Sequence, residues 1–283
     1  SYPYTFAENR RILQTLYTLE GKAASATRRA PSFPIGGKMI GSGEVFVIAE
    51  AGVNHNGRLD LALKLVGAAA DAGADAVKFQ TFRGEDLATA GADMAEYQEK
   101  NIGKKESQLE MLKKLALPES FYDPIIERCR ERGIIFLSTP HGGFEAVEKL
   151  VELGVPAFKF GSSDLTNLPV LRYAAGFAKP MILGTGMATM DEIKEAVLTI
   201  RAAGNDQIIT LHCTTNYPCS DEEVNLCAMQ TMLDELDVLV GYSDHTMGVL
   251  TPLMAVALGA AVVEKHLTLE RNMEGPDHKA SAT

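Results

Sequence analysis

Glu50 closes a continuous apolar run, VFVIAE (45–50), and a carboxylate in that position costs free energy unless something uses it. Seven further apolar runs end in polar or charged residues: Lys78 with Gln80, Ser138 with Thr139, Lys159, Thr185, His212, Ser243-Asp244-His245, and Glu264 with His266. One such lysine or histidine is ordinarily a solvated or hydrogen-bonded strand end. Gathered at one place, the set can do chemistry. Lys78 and Lys159 lie in otherwise apolar runs, and two buried ammonium groups repel, so they require an anion between them. The turns GSSDLTN (161–167) and GTGMATM (184–190) lead into helical patterns and offer free backbone N–H groups to phosphate or carboxylate. His245 and His266 end consecutive runs. Two neutral imidazoles beside a carboxylate and water suit Mn²⁺, Fe²⁺ or Zn²⁺, and a two-histidine site keeps positions open for substrate.

What would gather eight run ends is an architecture. The runs are VFVIAE (45–50), DAVKFQ (75–80), IIFLST (134–139), PAFKFG (156–161), PMILGT (180–185), QIITLH (207–212), LDVLVGYS (236–243) and AVVEKH (261–266). Most lead through a polar or glycine-rich turn into an amphipathic helical pattern. LDLALKLVGAAADAG (59–73) carries Leu59, Leu63 and Val66 on one face, and TMDEIKEAVLTIRAAG (189–204) opens with Thr189 and Glu192 in capping-box spacing and stops at Gly204. Near-continuous apolar strands alternating with helices predict a parallel sheet covered by helices. Eight such units predict an α/β fold of the (β/α)8 TIM-barrel type, whose active site lies at the C-terminal strand ends. No GxGxxG follows any run, which disfavours an open dinucleotide-binding sheet.

The bulk properties agree. The chain has 283 residues, 46% of them hydrophobic, enough for one large core. A net charge of -10 argues against nucleic acid and anionic membrane as partners. The longest apolar run, near Met254 to Val263, is too short to cross a bilayer, and the segment SYPYTFAENRR lacks the apolar core of a secretion signal. Four cysteines without a CxxC pattern point to a reducing, cytoplasmic setting. Residues 1–35 are expected to form a helical extension and linker, and 36–283 the barrel. Residues 81–106 form a long polar link suited to a lid. No helical pattern follows the eighth run, so the barrel is expected to lack or replace its last helix. The side left bare is then expected to be covered by residues 7–29, with their stripe Ile12, Leu13, Leu16, Tyr17 and Leu19, or by a second copy in a homodimer.

The motifs AEAGVNHNG, AVKFQTF, FLSTP, FKFGSSDLTNLP, GTGMATMDEI, LHCTTNYP, GYSDHTMG and VEKHLTLERNMEGPDHKAS, in that order, resemble the sialic acid synthase family across about residues 36–282. The family includes N-acetylneuraminate, legionaminate and pseudaminate synthases. The resemblance implies a (β/α)8 barrel that condenses phosphoenolpyruvate with an N-acylated mannose-type sugar, giving a nine-carbon 2-keto sugar acid and phosphate. It implies a divalent metal, Mn²⁺ first with Mg²⁺ or Co²⁺ as alternatives, on His245 and His266. It implies phosphoenolpyruvate held by Lys78, Thr139, Lys159, Ser162, Thr185 and Ser243, and a sugar pocket at Asn54, Tyr217 and Asp277. Glu50 matches the glutamate near the reacting carbons, where it would orient or deprotonate water or stabilise positive charge.

Departures from the family pattern matter too. This chain reads Gly161-Ser162-Ser163-Asp164 where family members often have GSGE, and Gly184-Thr185-Gly186-Met187 where they often have STGM. The resemblance implies a C-terminal antifreeze-like domain that lends an arginine to the sugar pocket across a dimer, and these 283 residues are expected to span the barrel without it. Rival readings are another phosphoenolpyruvate-condensing barrel, a Schiff-base aldolase using Lys159, and a catalytically impaired binder.

Overall fold

A computed structural model describes residues 31–89, 92–94, 98–99 and 107–283. Eight parallel strands make up one sheet: β3 (Phe46–Gly52), β4 (Ala76–Thr81), β5 (Ile135–Pro140), β6 (Phe158–Phe160), β7 (Met181–Gly184), β8 (Ile208–His212), β9 (Leu239–Asp244) and β10 (Val262–His266). Their order is β5-β4-β3-β10-β9-β8-β7-β6. The first and last strands of the barrel pair, with His266 opposite Glu50, while β5 and β6 lie side by side without a shared ladder. The result is a near-closed (β/α)8 barrel whose strands begin and end within three residues of the sequence-derived runs.

The covering helices among the described residues are α1 (Leu59–Asp71), α2 (Gly84–Leu87), α3 (Gln108–Leu115), α4 (Tyr122–Arg132), α5 (Phe144–Glu152), α6 (Leu168–Ala175), α7 (Met190–Ala202), α8 (Cys227–Glu235) and α9 (Leu250–Ala257). Helix α7 starts as its sequence specifies. Thr189 accepts from the Glu192 amide while the Glu192 carboxylate accepts from the Thr189 amide, which satisfies two otherwise orphaned N–H groups.

A feature unforeseen in the sequence is a short antiparallel hairpin, β1 (Phe33–Ile35) with β2 (Lys38–Ile40). The boundary expected between residues 35 and 36 falls at its turn. Gly36 and Gly37 both take positive φ, 55° and 87°, as a two-residue hairpin turn requires. Phe33, Ile35 and Ile40 are buried with Phe46, Ile48, Ala76, Leu137, Ile182 and Ile209 in one apolar cluster, so the hairpin plugs the end of the barrel opposite the polar strand ends. The larger cluster lies between strands and helices and contains Val47, Ala49, Val77, Phe79, Phe158 and Phe160.

Strand alternation sorts the residues. On β3, Phe46 and Ile48 belong to the inner cluster and Val47 and Ala49 to the outer one, so Glu50 continues the inner row. The same parity turns Lys78 and Gln80 inward on β4, Thr139 on β5, Lys159 on β6, Ser243 on β9 and Glu264 on β10. At Gly241 on β9 a Cβ would stand 2.4 Å from the Val262 carbonyl oxygen, so β9 and β10 approach this closely only because residue 241 is glycine.

After β10 the chain runs back over the barrel's rim. Leu267 bridges Ala282, and Ala280 and Ser281 are buried. Helix α9 leaves Leu250 and Met254 exposed, at 60 and 50%, and its C-cap residue Leu258 at 37%. The helix expected over residues 7–29 lies outside the described residues, as does much of the link 81–106. No helix among the described residues is long and apolar enough to cross a membrane.

Candidate active site

The inner row reaches solvent at the C-terminal mouth, in a cavity of about 190 Å³. Glu50, Lys78, Thr139, Lys159, Ser162, Tyr217, Ser243, His245 and His266 all line it. So the structure brings together nine of the twelve residues given a site role in the sequence.

The two lysines do face one anion, and the protein supplies it. Glu264 lies 3.7 Å from Lys78 Nζ and 3.4 Å from Lys159 Nζ, and Ser243 donates to it at 2.9 Å. Lys78 also lies 2.6 Å from Glu50 Oε2 and donates to Thr139 Oγ1 at 2.9 Å, while Gln80 donates to Glu50 Oε1 at 3.2 Å. All four charged groups are at least 95% buried. The two carboxylates separate in acidity. Burial pushes Glu50 up to about 7, against the pull of Lys78 and with help from Glu264. Burial also pushes Glu264 upward, but Lys159, Lys78 and the Ser243 hydrogen bond outweigh it and bring it to about 2. Glu264 thus carries the fixed charge, and Glu50 is poised to exchange a proton near neutrality. Lys78 is held above its usual value, because Glu264 and Glu50 outweigh its burial.

Glu50 is aimed by its strand. The β3–β4 register shifts between Glu50 and Gly52, a bulge of the kind that redirects a side chain. Gly52 takes φ 49°, and a Cβ there would lie 3.2 Å from Glu50 Oε1.

His245 and His266 face each other with ring centroids 5.6 Å apart, and Tyr217 packs on both, at 4.1 Å and 5.6 Å. Burial lowers His245 to about 4 and His266 well below the usual value, so both are neutral at physiological pH. His245 Nδ1 is engaged by the Thr214 carbonyl, which leaves its Nε2 as the lone-pair nitrogen. His266 Nδ1 is buried without a hydrogen-bond partner, 3.9 Å from Asp277. Neutral rings with an unused nitrogen fit a divalent ion. Among the described residues no group of three or more His, Cys, Asp or Glu assembles as a metal cluster, so the chain would contribute two imidazoles and leave the other positions open.

Three expected site residues are placed elsewhere. Thr185 follows inner-facing Gly184, so it points outward and donates to the Leu211 carbonyl at 3.0 Å. Asn54 is 1% exposed and donates to Leu267 O and Ser281 Oγ, at 2.8 and 2.9 Å, tying the NHNG turn to the returning segment. Asp277 sits behind His266 and is pushed up to about 6 by burial. Gln80 and Glu264, polar strand ends in the sequence without an assigned role, also line the cavity, as do His141, Ser163, Cys213 and Thr215, which sequence reasoning did not assign. At Gly184 a Cβ would stand 3.1 Å from both the amide nitrogen and Oγ of Ser162, so the Ser162 turn fills the space a serine side chain would need. Ser162 in turn accepts from the Gly186 amide at 2.9 Å.

The NHNG turn has its own pH signature. His55 is 1% exposed, accepts from the Gly57 amide at 3.1 Å, and is lowered by burial to about 4. An unfolded histidine binds a proton near 6.5, so this stability is present above that pH and is lost as pH falls toward 4. At about 1.4 kcal/mol per pKa unit, the loss by pH 4.5 is roughly 2–3 kcal/mol. Urea unfolding at pH 7 and pH 4.5 checks it: His55→Gln is expected to flatten the decline by that amount, and an identical decline contradicts the assignment.

Fold and cavity together define a (β/α)8-barrel enzyme with a buried cationic–carboxylate cluster facing a neutral histidine pair. Residues 65–283 match the NeuB family, and the chain belongs to it. It is 50% identical over 240 residues to the N,N'-diacetyllegionaminic acid synthase of Campylobacter jejuni, covering 84% of this chain and 72% of that one. It is 47% identical over 242 residues to the enzyme of the same name from Legionella pneumophila, covering 83% and 67%. Among solved structures, the N-acetylneuraminic acid synthetase of Leptospira borgpetersenii superposes with a TM-score of 0.79 at 33% identity, covering 91% of this chain and 85% of that one.

Proposed function

We propose that this chain condenses phosphoenolpyruvate with an N-acylated mannose-type sugar, giving a nine-carbon 2-keto sugar acid with release of phosphate. The observation that carries this reading is the pairing of Glu50 and Glu264 with Lys78 and Lys159 in one cavity with His245 and His266. Two ammonium groups against one fixed carboxylate leave positive charge for a small polyanion. The acceptor expected is the six-carbon diacetamido sugar that pyruvate addition turns into N,N'-diacetyllegionaminic acid, because the synthases of that acid are 47–50% identical and a pseudaminic acid synthase is 36% identical.

Lys78, Thr139, Lys159, Ser162 and Ser243 bind and orient phosphoenolpyruvate for attack. As the enol carbon bonds to the sugar's carbonyl carbon, positive charge develops at the carbon bearing phosphate. Glu50, adjoining Lys78, opposes that charge and accepts a proton from the water that adds there. Tyr217 lines the sugar side, with Asp277 behind His266. His245 and His266 would hold a divalent ion, Mn²⁺ first, whose chemistry when bound is polarisation of a carbonyl oxygen. Mn²⁺ binding read by electron paramagnetic resonance is expected in the wild type and lost in His266→Ala; unchanged binding in that variant removes the histidine pair from the metal site.

The exposed residues Leu250 and Met254 on α9 with Leu258 at its C-cap support a homodimer, which analytical ultracentrifugation tests directly: a monomer at micromolar concentration overturns it. The function is tested with phosphoenolpyruvate, Mn²⁺ and a panel of acylated mannosamine-type sugars, with product mass read by mass spectrometry. A sugar-dependent nine-carbon acid is the expected product. Absence of product with every acyl sugar, or phosphate release without sugar, contradicts the reading.

A further inference from the structure

We propose that His141, held by Asp164, is a further phosphate-anchoring residue of this cavity. The inference rests on the reading above that the substrate is an enol phosphate. His141 follows the last residue of β5, and its amide donates to the Thr81 carbonyl at 2.9 Å, which fixes the ring's origin at the mouth. The ring lies in the cavity wall with Lys159, Gly161, Ser162 and Ser163. Its Nδ1 is 3.0 Å from Asp164 Oδ2, and the two side chains are 18 and 20% exposed. A carboxylate acceptor places a proton on Nδ1 and fixes the ring's orientation. Nε2 makes no hydrogen bond within the described residues.

The fit is close. A Cβ on Gly161 would stand 3.0 Å from His141 Cε1 and 3.8 Å from Nε2, so the imidazole covers residue 161 because it is glycine. Asp164 lies in the short turn Ser162–Asp164 after β6 and meets His141 across the rim.

The charges decide which end of the substrate meets His141. Glu50 and Glu264 stand on β3 and β10 and repel a phosphate dianion. On the β5–β7 side the cavity presents Lys159, the Ser162 and Ser163 hydroxyls, and His141, with the Asp164 carboxylate already engaged. The phosphate belongs on that side, away from His245 and His266 on the opposite wall. There Nε2 and a phosphate oxygen are joined through one shared proton, which the phosphate brings as its monoanion, and Asp164 is the positioning residue of the ring.

The test measures the affinity of inorganic phosphate and of phosphoenolpyruvate by calorimetry, alongside KM for both substrates. His141→Phe keeps a planar ring and removes both nitrogens. It is expected to weaken phosphate and phosphoenolpyruvate by about 10- to 100-fold, as for a lost charge-assisted hydrogen bond, with sugar KM unchanged. His141→Gln restores a terminal donor and is expected to recover most of the affinity. Asp164→Asn keeps an acceptor without the charge and is expected to fall between them. Unchanged phosphate and phosphoenolpyruvate affinity in His141→Phe, or a loss confined to sugar KM, overturns the assignment. Should His141→Phe not fold, Asp164→Asn gives the same reading from a half-buried position. The proposed function stands or falls on product formation by the wild type, and the phosphate titration reads His141 separately from it.

Discussion

Glu50→Gln yields a folded protein that binds phosphoenolpyruvate and turns over at least about a hundredfold more slowly, the lower end of what acid–base catalysis contributes. The substitution keeps the shape and the contact from Gln80 and removes both the charge and the titration. Two features make Glu50 the sensitive position. Burial pushes it up to about 7, so it takes up and returns a proton near neutral pH. The neighbouring carboxylate, Glu264, is committed to the two lysines and does not replace it. The result is read as kcat with phosphoenolpyruvate affinity measured in parallel. Normal turnover in a folded variant removes Glu50 from the chemistry, whatever its effect on binding.

Lys78→Met is expected to act twice. It removes the ammonium group that balances both Glu50 and Glu264, leaving buried carboxylates short of counter-charge, which costs about 3–5 kcal/mol when a buried pair is broken. It also removes one charge-assisted hydrogen bond to the substrate, about 1.5–3 kcal/mol of binding. The two effects separate in the double variant Lys78→Met with Glu50→Gln, which regains stability and not affinity. Urea unfolding and phosphoenolpyruvate titration of the three proteins check this. A Lys78→Met protein as stable as the wild type contradicts the pairing. Lys159→Met is expected to weaken phosphoenolpyruvate similarly, since Lys159 faces the same carboxylate at 3.4 Å.

The barrel was legible because its strands are apolar on both faces and end in polar residues. The same property hid which polar residues face inward: a strand apolar on both faces shows no alternation. Parity settles it once the inner row is known. With Ile182 inside, Gly184 is inside and Thr185 is not. His212 likewise turns out and bonds the Val224 carbonyl at 2.7 Å. Ser138 pairs with Thr81 at 2.8 Å, and Asp244 pairs with Lys265, all outside the cavity.

The buried anion between the lysines was anticipated as a ligand. That it is Glu264 depends on the β9–β10–β3 arrangement, a long-range fact. Asn54, in a motif shared with the family, holds backbone rather than lining the cavity. The hairpin at Gly36-Gly37 did carry a local signal, the Gly-Gly pair between Ile35 and Lys38, but its three-residue strands are too short for periodicity to speak. His141 had no local signal, since its meaning comes from Asp164, 23 residues away.

The most direct measurement uses phosphoenolpyruvate labelled with heavy oxygen in the bridge between carbon and phosphorus. If Glu50 directs water to the carbon and phosphate leaves from it, the label departs in the released phosphate, and it does so only when acyl sugar is present. Unlabelled phosphate, from cleavage at phosphorus, would contradict the account.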